Sequence, residues 1–167
     1  IFAVFPHYDF SIVGVYCHQK PIVDIKEAKK PELGDILFVY ADRKRKGEMV
    51  LNSLLLQAKI SNNPRLHVHQ SERHQLKLYK NWPQFTYCRA GNLNGKMRNI
   101  FPKTINDGAQ YLLIADNSLA NGFFAGNRMF PMGCAIPDDI LYINDSLSSE
   151  LINLLKFKSG RTFDSDL

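Results

Sequence analysis

Apolar residues in this chain come in short runs that begin or end on polar residues. The two clearest are Ile36-Leu37-Phe38-Val39-Tyr40, which follows Gly34-Asp35, and Leu54-Leu55-Leu56, which leads into Gln57-Ala58-Lys59. Runs of this length, rich in branched and aromatic side chains, predict buried strands. Between them Asp42 to Glu48 is charged and contains Gly47, so it reads as a turn, and the two strands are expected to pair as an antiparallel hairpin. Phe10 to Tyr16 and Pro21 to Ile25 are two further strand candidates, followed by a charged turn from Lys26 to Pro31. After Lys59 the sequence turns polar at Ser61-Asn62-Asn63-Pro64. Ser71 to Lys80 then predicts a helix capped by Ser71 and stopped by Pro83. Phe85 to Cys88 predicts a short strand, and Gly91 to Gly95 a turn-rich loop. Gln110 to Ala115, apolar on both faces, predicts a central strand. Asn117 to Pro137, rich in Gly, Asn and Met, reads as a long loop. Asp145 to Lys156 reads as an amphipathic helix with a serine cap, finished at Gly160.

Length and composition narrow the class. A chain of 167 residues suits one domain spanning 1–167, long enough to bury roughly 70% of its unfolded surface. It opens Ile1-Phe2-Ala3-Val4-Phe5 without Met or a basic leader, which fits a piece of a longer protein better than a signal peptide. The longest apolar runs, Ile36 to Ala41 and Tyr111 to Ala115, fall far short of the roughly 20 residues a membrane helix needs, so no membrane partner is expected. Three separated cysteines, Cys17, Cys88 and Cys134, fit reduced thiols and a cytoplasmic location. Charge is more informative: residues 1–100 hold 16 Lys and Arg against 8 Asp and Glu, whereas residues 101–167 hold 5 against 8. The basic part contains both polar-tipped strands, which suits a polyanionic partner such as nucleic acid.

Asp35, Gln57 and Lys59 carry the candidate chemistry. Burying an unpaired charged or polar group costs several kcal/mol, so polar residues on buried strands need partners. Side chains alternate along a strand, which puts Gln57 and Lys59 on one face and Leu56, Ala58 and Ile60 on the other. A hairpin brings Asp35 within reach of Gln57. A carboxylate from Asp35, an amide oxygen from Gln57 and the main-chain carbonyl of Ala58 form a set of hard oxygen ligands suited to Mg²⁺. Lys59 would stand beside that ion, placed to hold a phosphate.

Glu32, Asp35 and Gln57-Ala58-Lys59 together resemble the signature of the PD-(D/E)xK nuclease superfamily, in the QxK form of Mrr-like restriction nucleases. The motif spans about residues 25–60, and the helix from Ser71 and the strand near Tyr111 follow in the matching order. The resemblance implies an α/β, restriction-endonuclease-like core, a mixed β-sheet flanked by helices. It further implies hydrolysis of phosphodiester bonds dependent on Mg²⁺ or Mn²⁺, with Asp35, Gln57, Lys59 and Glu32 as the catalytic set. DNA is the implied substrate, and a bacterial restriction or anti-phage defence system the implied setting. A further domain, a partner subunit or a homodimer are all compatible with it. The chain departs from the pattern at Gly34, where the motif has proline, and at Gln57, where a glutamate would add a negative charge; Glu27 is an alternative to Glu32. The superfamily includes members that bind without cutting, so a catalytically inactive module for nucleic acid or protein is the alternative.

Secondary candidates lie nearby. Arg43, Lys44, Arg45 and Lys46 at the hairpin tip could touch a nucleic-acid backbone or form a solvated turn. Gln75 and Tyr79, four apart, share one helix face, from which either could point at the site or simply pack. His67, His69 and His74, with Glu72, could hold a metal or be polar surface residues. Trp82, Phe85 and Tyr87 beside Lys77, Lys80 and Arg89 could stack bases or form core flanked by solvated cations. No phosphate-binding GxxxxGK[ST] loop or GxSxG elbow is present.

Overall fold

A computed structural model of the chain describes residues 20–43, 49–103, 108–116, 122–125 and 128–163. The predicted strand at 10–16, Cys17 and the tip residues Lys44, Arg45 and Lys46 lie outside them, as does the side chain of Arg43. The elements in chain order are β1 (Ile22–Asp24), β2 (Ile36–Arg43), β3 (Met49–Ser61), β4 (Arg65–His67), a 3-10 turn (Gln70–Glu72) and α1 (Arg73–Asn81). There follow β5 (Phe85–Arg89), a second 3-10 turn (Gly91–Leu93), β6 (Met97–Arg98), β7 (Ala109–Ala115), β8 (Phe123–Ala125), β9 (Arg128–Phe130) and β10 (Met132–Ala135). The last are β11 (Ile140–Ser146), α2 (Leu147–Leu155) and β12 (Arg161–Phe163).

The thirteen-residue β3 is the axis of a mixed sheet. Along one edge β2 runs antiparallel to its first half, from Ile36 opposite Leu56 to Arg43 opposite Met49. Along the other edge β12 covers Leu51 to Ser53, and β7 then runs parallel beside Leu55 to Ser61. The sheet continues outward through β10, β11 and β4, each antiparallel to its neighbour. The expected hairpin is present, and Gln110 to Ala115 is central as predicted, flanked by β3 and β10.

Strand alternation assigns the two faces. Leu54, Leu56, Leu112 and Cys134 meet Leu154 of α2 on one side, and Leu151 packs against them. Ala109, Tyr111 and Leu113 meet Leu76, Leu78 and Tyr79 of α1 on the other, together with Val23 and Phe85 from the small β1-β5-β6 sheet. Full burial of each such leucine contributes about 1.5–3 kcal/mol, so both helices are held by their apolar stripes rather than by propensity. The fold is thus α/β, with a mixed sheet and a helix on each face.

Three local expectations are corrected. The stretch read as a loop from Asn117 to Pro137 contains β8, β9 and β10, and β10 sits inside the main sheet. Its glycine is there for packing, since a Cβ on Gly133 would lie 2.6 Å from Ile143 Cγ2 on β11. The first helix is not capped by Ser71: a 3-10 turn precedes it, and His69 Nδ1 accepts the Ser71 N–H at 3.2 Å. The second helix does have its serine cap, Ser146 accepting from the Ser149 N–H, but residues 145–146 end β11 and the helix stops at Leu155. Before Pro83, Trp82 closes α1 in the left-handed region at φ 42°, with its ring stacked on Tyr79.

Candidate active site

β2 starts at Ile36, opposite Leu56, and Asp35 N–H still reaches the Leu56 carbonyl at 2.9 Å. Beyond that point β3 has lost its neighbour on this edge. The Asp35 side chain takes over: its Oδ2 accepts the Ala58 N–H at 2.7 Å and the Gln57 Nε2 at 2.5 Å. Two donors on one carboxylate oxygen are strong, charge-assisted bonds, and neither uses Oδ1. Asp35 and Gln57 are therefore brought together as the hairpin required. Ala58 contributes its N–H to the carboxylate, and in an extended strand its carbonyl opens toward the same edge.

Gly34 explains itself through packing. A Cβ there would lie 2.6 Å from Leu55 Cδ1 and 2.8 Å from the Tyr79 hydroxyl oxygen. That hydroxyl donates to the Leu33 carbonyl at 2.9 Å, tying α1 to the chain segment that delivers Asp35. The Tyr79 ring packs between Trp82 and Tyr111, at centroid distances of 6.1 and 5.6 Å. Burial first, then the Tyr111 and Asp35 neighbours, hold the Tyr79 hydroxyl well above its ordinary pKa; burial does the same to Tyr111.

Lys59 lies two residues beyond Gln57 on the same face, roughly 6.6 Å along the strand. Its ammonium forms an ion pair with Glu72, from the 3-10 turn before α1, and the lysine side chain is only 21% exposed. Among the described residues, the polar atoms on this side of the sheet that are buried without a hydrogen-bond partner include Gln57 Oε1, Gln75 Nε2 and Tyr111 Oη, as well as Trp82 Nε1 at the end of α1. Tyr111 is the register neighbour of Gln57 on β7, and Gln75 sits on the sheet-facing side of α1. Buried polar groups are nearly always satisfied, so unspent ones beside a strand end mark a place built to meet polar atoms.

The remaining candidates fall elsewhere. Glu32 forms a β-bridge with Ile22 and acts electrostatically on Tyr79, without a hydrogen bond to Asp35 or Gln57 among the described residues. Glu27, its alternative, pairs with Lys77. Gln75 is 6% exposed and turned inward, so it is a buried neighbour of the site and not a contact for a nucleic-acid backbone. Among the described residues no three His, Cys, Asp or Glu side chains form a metal-holding group; His69 is bonded to Ser71.

An Mg²⁺ site with one protein carboxylate, Asp35, still fits the ion, which characteristically binds through one or two carboxylates together with substrate phosphates and water. Gln57 Oε1, buried and unpartnered, is a suitable neutral ligand. Glu72 and Tyr111 were not signalled as partners by local sequence, because the twelve residues between Lys59 and Glu72 include a strand and a turn whose course is set by tertiary packing. No protein-family model, curated protein or solved structure matches the chain.

Proposed function

We propose that this chain is a metal-dependent nuclease domain with a restriction-endonuclease-like core, hydrolysing phosphodiester bonds, with DNA as the favoured substrate. The observation that carries the reading is the Asp35–Gln57 contact at 2.5 Å, with Gln57 Oε1 buried and unpartnered beside Lys59. A hairpin, a helix and a strand parallel to the second hairpin strand, in that order, support it. Asp35, Gln57 and the Ala58 carbonyl would hold Mg²⁺ or Mn²⁺, which when bound supplies charge stabilisation and an acidified water. The chain's own part is positional and electrostatic. Asp35 is fixed by its two donors, Gln57 is oriented by Asp35, and Lys59 offers an ammonium to a phosphate oxygen. Glu72 keeps that ammonium in place until a phosphate competes for it.

Two observations favour the binding-module alternative: Lys59 is already paired with Glu72, and among the described residues Asp35 is the one carboxylate bonded to Gln57. The two readings separate in a cleavage assay on single-stranded DNA, duplex DNA and RNA with Mg²⁺ or Mn²⁺. Wild type should cut, and Asp35→Asn and Lys59→Ala should each lose at least about a hundredfold in rate. Equal cleavage by all three removes the proposed site. Salt-sensitive binding with no turnover in either metal favours the inactive module.

A further inference from the structure

A groove of about 450 Å³ lies against the face of the sheet that carries Gln57 and Lys59. Leu33, Leu37 and Leu55 line it; Asp35 and Gln57 do not, but Asp35 lies in sequence between the first two and Gln57 two residues along β3 from the third. Trp82 lines its depth, and Tyr87, Arg98 and Phe101 line its mouth. Among the described residues the lining includes two arginines and no carboxylate. At the mouth, cations sit over rings: Arg98 lies 6.0 Å from the Tyr87 centroid and Lys103 5.1 Å from that of Phe101. Phe101 is 65% exposed, and Arg161 fixes its loop by donating to the carbonyls of Phe101 and Pro102 at 3.1 and 2.6 Å. Holding a phenyl ring in water, oriented and flanked by positive charge, has a physical use when a flat, electron-rich partner covers it.

We propose that this groove binds single-stranded nucleic acid, seating unpaired bases on Phe101 and Tyr87 while Arg98 and Lys103 meet the phosphates, and leads the strand to Asp35 and Gln57. Ring faces and apolar walls are of use only to bases whose own faces are free, which duplex stacking hides. The positive lining matches the phosphate backbone, and its continuity with Leu37 and Leu55 points the strand at the site. The inference rests on reading that site as acting on nucleic acid.

The test uses the full chain in EDTA, so that binding is read apart from cleavage. Trp82 is the only tryptophan and lines the groove, which makes its emission the probe. Oligo-dT, oligo-rU and a duplex of equal length are titrated at several salt concentrations. Either oligomer, or both, should change the emission and bind at least about tenfold tighter than the duplex, the difference between the two reporting the preferred sugar. Phe101→Ala should weaken oligomer binding about tenfold and leave duplex binding unchanged. Arg98→Ala should lower the slope of log affinity on log salt by about 0.7. Both positions are exposed, so folding is not at stake. Equal affinity for duplex and oligomers, or no effect of Phe101→Ala, overturns the groove. Oligomer binding as expected without metal-dependent cleavage sinks the hydrolysis reading and leaves the groove standing, whereas cleavage without oligomer binding does the reverse.

Discussion

Replacing Gly34 by Ala tests the packing that delivers Asp35 to its partners. Gly34 is not in the left-handed region, so alanine is compatible with its backbone, and the lost unfolded-state freedom would by itself stabilise by about 0.4–1 kcal/mol. Against this, the new Cβ would lie 2.6 and 2.8 Å from Leu55 Cδ1 and Cγ and 2.8 Å from the Tyr79 oxygen. The leucine tip can rotate. Tyr79 cannot yield so easily, because it is fully buried between Trp82 and Tyr111 and its hydroxyl is bonded to Leu33. Overpacking costs about 1–3 kcal/mol, and loss of the hydroxyl bond adds about 0.5–1.5 kcal/mol. The balance is a destabilisation of about 1–3 kcal/mol, read as a lower urea midpoint at unchanged slope. Tyr79→Phe removes the oxygen at 2.8 Å, so it should cost less in the Gly34→Ala background than in wild type. A coupling of about 1 kcal/mol is expected for groups in contact. Gly34→Ala within about 0.5 kcal/mol of wild type, or a cycle additive to within that margin, would refute the reasoning.

Two further outcomes follow from buried groups elsewhere. Asn52, 1% exposed, donates from Nδ2 to the carbonyls of Leu154 at 2.9 Å and Ser159 at 2.8 Å, closing the end of α2 onto β3. Asn52→Asp keeps the shape but turns an oxygen toward those carbonyls, and should cost about 2–4 kcal/mol in chemical denaturation; a loss under about 1 kcal/mol would show that the amide is not the tie. Burial pushes the Cys134 thiol up from 9.0 to about 12, with the Glu150 and Asp145 charges adding to it. The unfolded thiol ionises first, so the stability present below pH 9 should fall as pH rises from 9 toward 12, by up to about 1.4 kcal/mol per pH unit for this group. Urea midpoints of wild type and Cys134→Ala across that range should converge; parallel curves would contradict the burial argument.

The hairpin of β2 and β3, the strand at β7, the stop at Pro83 and the Ser146 cap were legible because each depends on residues near in sequence. Apolar runs of strand length, a charged turn and a serine hydroxyl within reach of its own helix carry their information locally. Alternation likewise put Gln57 and Lys59 on one face before any partner was known, and the hairpin brought Asp35 to Gln57. The three-residue β1 was legible in its β-branched run, but β10 and β12 carried no such pattern, since a short strand is stabilised by the neighbour it pairs with. Tertiary structure alone decided that Lys59 meets Glu72, that Tyr111 lies beside Gln57, and that Tyr79 occupies the space a side chain at Gly34 would need. These are contacts between distant segments, and closing them depends on how two faces of a sheet are covered, a quantity that no window of neighbouring residues contains.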